Sequence, residues 1–275
     1  MTIAHLSDLH FGKIAHEEIV PHLVEEVNRA KVDLVVVSGD LTQRARAHEF
    51  EAAAAMLRAF AAPTLVVPGN HDVYPWWRPT SRLMQPCARF RRYVSDDLTP
   101  TFEWRPAQNG TSGGVSVLGL NTAVGRTVKA GRIASEDLDR MRRFFRSRGT
   151  EVFKVLTLHH HLTKIQGLGP HDVAKRAERA LKVASEAGVD LILCGHLHIS
   201  HIEPVEIIPG SHRLVVASAG TATSTRGRRR DRRTNFYNRV HVRPGAFFVE
   251  ERRYDTGEHA FVLDSTTRFE RLQPA

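Results

Sequence analysis

Three short apolar runs rich in β-branched residues lie early in the chain: Thr2 to Leu6, Asp33 to Val37 and Thr64 to Val67. Longer stretches of helical character separate them, about His16 to Ala30 and His48 to Phe60. The second contains the run Ala52 to Ala55, which favours helix. Strands alternating with helices predict parallel βαβ units. The theme returns with a helix from about Ser135 to Arg146, led by Ser135 with Glu136 and Asp137 in its first turn, and a strand from Val152 to Leu158. A helix over Asp172 to Ala187 then leads into a strand from Val189 to Cys194. Beyond it the pattern is almost wholly strand: His201 to Ile208, His212 to Ser218, Asn235 to Val242, Ala246 to Tyr254 and His259 to Leu263. Tyr74 to Gln108 breaks the rhythm with five prolines and all three tryptophans. A helix over about Thr80 to Val94 and irregular loops are expected there, capping one side of the fold. No internal repeat of convincing period is found.

At 275 residues and 41% hydrophobic content, the chain can bury one large core or two modest ones. A single domain over 1–275 is expected, with 74–108 as a cap-like insertion and 201–275 as a strand-rich C-terminal part. No window approaches the ~18 consecutive apolar residues of a membrane span. Thr2 to Leu6 begins as a strand without a basic and apolar leader, so a cytoplasmic protein is expected. Cys87 and Cys194 are the only cysteines, which excludes a disulfide framework and zinc-ribbon spacing. Any metal site must therefore use nitrogen and oxygen ligands. A formal charge of +9 favours anionic partners, namely phosphate esters, nucleic acid or acidic lipid head groups.

In an open α/β sheet, ligand sites form outside the carboxyl ends of the strands. Polar residues of metal-ligand type recur at those ends. Ser7-Asp8-Leu9-His10 follows the first strand, Ser38-Gly39-Asp40 the second and Pro68-Gly69-Asn70-His71-Asp72 the third. Later come His159-His160-His161, after Leu158, and Gly195-His196-Leu197-His198, after Cys194. In Asp8-x-His10 and His196-x-His198 the pairs stand two residues apart, so an extended backbone would point both side chains the same way. Carboxylate and imidazole donors together suit Zn, Mn, Fe, Co or Ni. Seven donors exceed one ion's needs, whereas two ions sharing one carboxylate would each receive about four protein atoms. Glycines at 39, 69 and 195 let the backbone turn sharply or come close.

The ordered pattern D-x-H, G-D, G-N-H-D, H, G-H-x-H over Asp8 to His198 resembles the calcineurin-like metallophosphoesterases, in particular the branch of cyclic-nucleotide phosphodiesterases and glycerophosphodiesterases. The resemblance implies an α/β fold, a four-layer α-β-β-α sandwich of two mixed sheets flanked by helices. It also implies two metal ions, Mn, Fe, Zn or Co. Asp8, His10, Asp40 and His198 would hold one ion, and Asp40, Asn70, His159 and His196 the other. Asp40 would bridge. His159 matches the family position, and His160 is the alternate within the triplet. The implied reaction is attack of a metal-bridging hydroxide on a phosphodiester or phosphomonoester. His71 would stabilise the transferring phosphoryl group or protonate the leaving alkoxide, and Asp72 would orient its imidazole. Asn70, His71 and His160 are the substrate-binding residues of this reading.

Each short motif by itself is ordinary loop chemistry, and only the ordered set points to a metal site. Cys194 reads as a buried small residue and not as a ligand. Arg226 to Arg233 holds six arginines: a solvated hairpin loop in the bland reading, a clamp for phosphates beyond the scissile one in the sharper reading. Tyr74, Trp76 and Trp77 read first as packing of an aromatic-rich cap and second as a stacking platform for a nucleobase. Gln166 to Pro170 lacks phosphate-loop spacing and reads as a rim loop. The arginine loop and the basic charge motivate a DNA or RNA nuclease of the same superfamily as the alternative enzyme. Nucleic acid is a partner in that reading alone. A catalytically inactive protein-binding scaffold is the alternative outside enzymes, and the complete ligand set, His71 included, argues against it. The C-terminal region is expected to shape substrate choice or a homodimer contact.

Overall fold

The computed structural model describes residues 1–106, 113–165, 168, 171–206, 213–228 and 234–271. In chain order the elements are β1 (Thr2–Leu6), α1 (Ile19–Arg29), β2 (Leu34–Val37), α2 (Ala47–Ala59), β3 (Thr64–Val66), α3 (Pro79–Met84), α4 (Ala88–Tyr93), β4 (Thr101–Trp104) and β5 (Val115–Leu120). They continue with α5 (Ser135–Arg146), β6 (Phe153–Leu158), α6 (Ala177–Glu186), β7 (Leu191–Cys194), β8 (Ser200–Glu206), β9 (Arg213–Ala219), β10 (Phe236–Arg243), β11 (Ala246–Asp255) and β12 (Ala260–Glu270).

Two six-stranded sheets form, in the orders β12-β11-β10-β1-β2-β3 and β4-β5-β6-β7-β9-β8. Both are mixed. The β1–β2–β3 and β5–β6–β7–β9 neighbours run parallel, and the remaining pairs are antiparallel. The continuous apolar runs have a packing cause, because the central strands are buried on both faces. Leu34 and Val36 of β2 meet Val155 of β6 and Leu191 of β7 between the sheets, while Val35 and Val37 face the outer core beneath α1 and α2. On the second sheet Leu156 and Leu158 turn outward to Met141, Phe145 and Leu181 of α5 and α6. Helix, sheet, sheet, helix is thus the layer order, as the resemblance implied.

Several elements differ from the expected ones, among them β4, which stands where irregular loops were expected, and α6, which begins at Ala177 and not at Asp172. The strand β5 reads poorly in sequence because Ser116 and Gly119 interrupt it and two glycines, Gly113 and Gly114, stand just before it. A side chain at Gly119 would stand 2.7 Å from Val67 Cγ1, so close approach of chains excludes one there. The helix expected over Thr80 to Val94 is two short helices, since Pro86 between them has no N–H to continue the ladder. The last strand extends to Glu270, beyond Leu263, paired with β11 across a bulge at Glu251/Arg252. The 74–106 segment joins both layers: Phe50 of α2 stacks on Tyr93 of α4 at 6.1 Å, and β4 is an edge of the second sheet. Among the described residues no helix is long and apolar enough to cross a membrane.

Candidate metal centre

The carboxyl ends of β1, β2, β3, β6 and β7 meet at one edge of the sandwich. Asp8, His10, Asp40 and His198 bring ligand-type atoms within 4.8 Å of one another, and so do His159, His160 and His196. His10 Nε2 lies 3.1 Å from His198 Nε2 and 3.6 Å from both Asp8 Oδ1 and Asp40 Oδ2. His198 Nε2 is 3.0 Å from Asp8 Oδ1. His159 Nε2 is 3.3 Å from Asp40 Oδ2 and 3.2 Å from Asn70 Oδ1. His196 joins this second group through its ring, 5.1 Å from that of His159. Asp40 therefore stands between the two groups.

The local backbone that achieves this convergence is not the extended one expected for the Asp-x-His pairs. Asp8 (φ 53°), His10 (46°), Asp40 (53°), His196 (71°) and His198 (56°) are all left-handed, and together they are more than half of the non-glycine residues with positive φ among the described residues. Such a conformation costs about 1 kcal/mol or more per residue and persists where the surroundings over-determine it. Here they do. Asp8 N–H donates to Gly39 O at 3.1 Å and His10 N–H to Asp40 O at 3.0 Å. Thr221 and Thr223 hydroxyls donate to the carbonyls of Asp8 and Leu9, each at 2.7 Å. Close approach of loops also requires the glycines: a Cβ on Gly195 would lie 1.8 Å from Ser7 Oγ, and one on Gly69 2.1 Å from Asp40 Oδ1.

The hydrogen bonds divide each carboxylate into a held and a free oxygen. Asp8 Oδ2 accepts from Ser7 Oγ (2.7 Å) and His196 N–H (2.9 Å), and Asp40 Oδ1 accepts from His71 N–H (2.8 Å). The other oxygens, Asp8 Oδ1 and Asp40 Oδ2, are buried without a hydrogen-bond partner. The imidazole nitrogens 3.0 and 3.3 Å away approach them without hydrogen-bond geometry. The rings are sorted in the same way. Nδ1 of His10, His159 and His198 donates to the carbonyls of Thr42 (3.2 Å), Ser38 (2.8 Å) and Arg226 (2.9 Å). That directs each Nε2 at the free carboxylate oxygens. Buried acceptors facing one another are costly unless a cation lies among them, so the donor set fits metal ions of the borderline class.

Ionisation agrees with this sorting. Burial alone would raise the Asp8 and Asp40 carboxyls, but His198 and His159 respectively lead the imidazoles that hold both well below the usual carboxylate range. Burial pushes His10 down to about 4 and His196 to about 3, leaving both rings neutral. His159 is the exception: burial opposes its charge, yet Asp40 and then Asp8 raise it to about 9. In the ion-free protein its Nε2 keeps a proton that a bound cation would displace.

Two positions make contacts other than those expected. Asp72 bonds to backbone donors and not to the His71 ring. Its carboxylate accepts from the N–H groups of Leu41 (3.1 Å), Thr42 (2.9 Å) and Gly69 (2.9 Å) and from the Thr42 hydroxyl (3.0 Å), clamping the loops after β2 and β3 together. Burial and the Asp40 charge push it up to about 7, against those bonds. His71 takes its orientation from the Gln43 carbonyl, which accepts from Nδ1 at 2.8 Å. Nor is His160 placed to bind substrate: it is buried, with Nε2 donating to Lys129 O (3.0 Å) and Nδ1 accepting from Thr122 Oγ1 (2.8 Å). Within the triplet, His159 Nε2 faces Asp40 and Asn70, whereas both ring nitrogens of His160 are engaged in hydrogen bonds. His161 turns to Ser218 Oγ at 3.3 Å.

In the Gly220 to Arg226 segment only Arg226 carries a reading from sequence, as the start of the arginine loop. Besides its threonines the segment supplies Arg226, whose backbone holds His198 and whose guanidinium donates to His71 Nε2 at 3.0 Å and Gln43 Oε1 at 3.3 Å. The signal was its position, after a strand that ends at the same edge. Of the arginine run only Arg226 and Arg228 are among the described residues, and Gln166 to Pro170 falls outside them apart from Leu168.

A two-sheet sandwich whose strand ends gather carboxylates and imidazoles defines a metal-dependent phosphoesterase class. The chain belongs to the calcineurin-like phosphoesterase family, whose model matches residues 1–200. It is 32% identical over 112 residues to the glycerophosphodiester phosphodiesterase GpdQ of Enterobacter lignolyticus, a match covering 36% of this chain and 40% of that protein. It is 25% identical over 183 residues to the 3',5'-cyclic adenosine monophosphate phosphodiesterase CpdA of Haemophilus influenzae, covering 66% of this chain and 59% of that one. These matches span less than two thirds of either relative. In fold it is similar to the purple acid phosphatase PPD1 of Lupinus luteus (TM-score 0.69, 10% identity, 98% of this chain and 54% of that one). It is likewise similar to a dimetal phosphatase of Danio rerio (TM-score 0.66, 12% identity, 99% of each chain).

Proposed function

We propose that this chain is a dinuclear-metal phosphoesterase that hydrolyses a phosphodiester or phosphomonoester. The observation that carries the reading is the pair of buried carboxylate oxygens without hydrogen bonds, Asp8 Oδ1 and Asp40 Oδ2, onto which imidazole nitrogens converge. Asp8, His10, Asp40 and His198 would hold one ion, and Asp40, Asn70, His159 and His196 the other. Bound there, two divalent ions supply Lewis-acid stabilisation of the charge that builds on the attacking and departing oxygens of an in-line displacement.

The protein's own groups do the rest. The Gln43 carbonyl fixes the His71 ring, so any proton that His71 exchanges with substrate passes at Nε2. Arg226, a donor only, meets that nitrogen and places a fixed positive charge where phosphoryl oxygens would lie beside Asn70 and His71. The carbonyls of Thr42, Ser38 and Arg226 keep the ligand rings in one tautomer, which avoids reorganisation during the reaction.

The test pairs metal content with turnover. Chelator-stripped protein reloaded with Mn, Zn, Fe or Co should bind two ions per chain and hydrolyse bis(p-nitrophenyl) phosphate, and Asp40→Ala should lose both properties. Protein that binds no ion and turns over no aryl phosphate ester would exclude the reading. Steeply salt-dependent DNA affinity with DNA cleavage would instead assign the nuclease reading.

A further inference from the structure

Beside the centre lies a cleft of about 220 Å³ that shares Asn70, His71 and Arg226 with it. Its remaining lining includes Trp76, Trp77, Arg44 and Lys129. The two indoles are 69% and 47% exposed, set edge to face with ring centres 5.7 Å apart, and the Arg44 guanidinium stands 5.6 Å from the Trp77 ring. The segment is not loosely placed: buried Arg82 donates to the carbonyls of Tyr74, Gly125 and Thr127, tying the tryptophan loop to the loop that bears Lys129. A fixed concave site with exposed indole faces costs apolar hydration in the free protein, a cost that a stacking ligand removes. An aliphatic alcohol such as glycerol would leave the indoles unmatched, and a neutral aromatic would leave the cations unmatched.

We propose that this cleft is the subsite for the departing alcohol and that it takes a nucleotide, with the base stacked on Trp77 and edge-on to Trp76 and a non-scissile phosphate held by Lys129 and Arg44. The proposal rests on the phosphoesterase reading above and narrows its substrate class. In the step concerned, a water oxygen bonds to phosphorus as the bond from phosphorus to the nucleotide's sugar oxygen breaks. That oxygen leaves with the electron pair and takes up a proton, so no co-reactant is needed.

Two measurements on the full chain test it. By calorimetry on metal-stripped protein, AMP should bind about tenfold or more tighter than adenosine or glycerol 3-phosphate, as expected of base stacking joined to a charge-assisted phosphate contact. Trp77→Ala should bring AMP down to glycerol 3-phosphate, and Lys129→Ala down to adenosine. With metal restored, kcat/KM for 5'-phosphorylated diadenylate, which would release AMP as its alcohol, should exceed that for glycerophosphoethanolamine about tenfold or more. Either substitution should collapse that ratio. AMP binding no tighter than glycerol 3-phosphate, or a ratio near one in the unsubstituted protein, would overturn the subsite while leaving the phosphoesterase reading intact. Turnover of neither ester under any metal would instead count against that reading. Tryptophan-dependent sedimentation with phosphatidylglycerol vesicles, without AMP binding, would make the surface a membrane contact and also overturn the proposal.

Discussion

The stripped protein should lose thermal stability as pH rises from 7 to 9, and the main cause is a single ring. Without ions, Asp40 and Asp8 raise His159 to about 9 against the opposing effect of its burial. A histidine raised in the folded state stabilises it fully below its unfolded value near 6.5, and that contribution is lost as pH climbs through the folded value. Between pH 7 and 9 the linkage amounts to about 2 kcal/mol, or roughly 4–8 °C in Tm for a chain of this size class. Other shifted groups contribute less. His10 and His196, at about 4 and about 3, stay neutral throughout. Asp72, at about 7, is half-ionised at pH 7, and completing its ionisation adds a loss of about 0.4 kcal/mol in the same direction. The Met1 amino group, lowered by burial, acts in the opposite sense. Scanning calorimetry on chelated protein at pH 7, 8 and 9 measures the slope. His159→Gln should flatten it, and metal loading should also flatten it by displacing the proton. A flat profile in the stripped protein, or an unchanged slope in His159→Gln, would refute the assignment.

Asp72→Asn should destabilise the fold by about 2 kcal/mol, because an amide must face at least one of the three N–H donors that the carboxylate satisfies. Metal content and Tm should fall together, whereas a selective loss of kcat with normal metal content would restore Asp72 as the partner of His71. Gly195→Ala should abolish metal binding, read by elemental analysis, since its Cβ would overlap Ser7 Oγ and crowd Asp8 Oδ2. Thr221→Val, which removes the bond to the Asp8 carbonyl, should cost about 1–3 kcal/mol in denaturant unfolding and weaken metal retention in a chelator competition. Leu118→Ala, at a fully buried position of β5, should cost about 2–5 kcal/mol in the same unfolding assay with ligand geometry unaltered.

Much of this protein was legible without coordinates, though for unequal reasons. Strands buried on both faces announce themselves as unbroken apolar runs, so β1, β2, β3, β6 and β7 could be read together with the polar residues that follow each. β5 could not, because Ser116 and Gly119, the latter required by close packing against Val67 and Pro100, interrupt the apolar run. The cap helix broke at Pro86, a position visible in the sequence but read through. Residues adjacent in sequence suggested an Asp72–His71 partnership, yet the left-handed turns of the loops send Asp72 to backbone donors and leave His71 to a carbonyl.

The sequence by itself determined the donor set, its order along the chain and the edge at which it collects, because those follow from residue type and from where each strand ends. Only the tertiary structure decided which oxygen of each carboxylate stays free, which histidine of the buried triplet faces Asp40 and that Arg226 reaches His71. Those outcomes depend on hydrogen bonds between loops up to about two hundred residues apart, such as His196 N–H to Asp8 and Thr221 to the Asp8 carbonyl, and no local pattern encodes such partners.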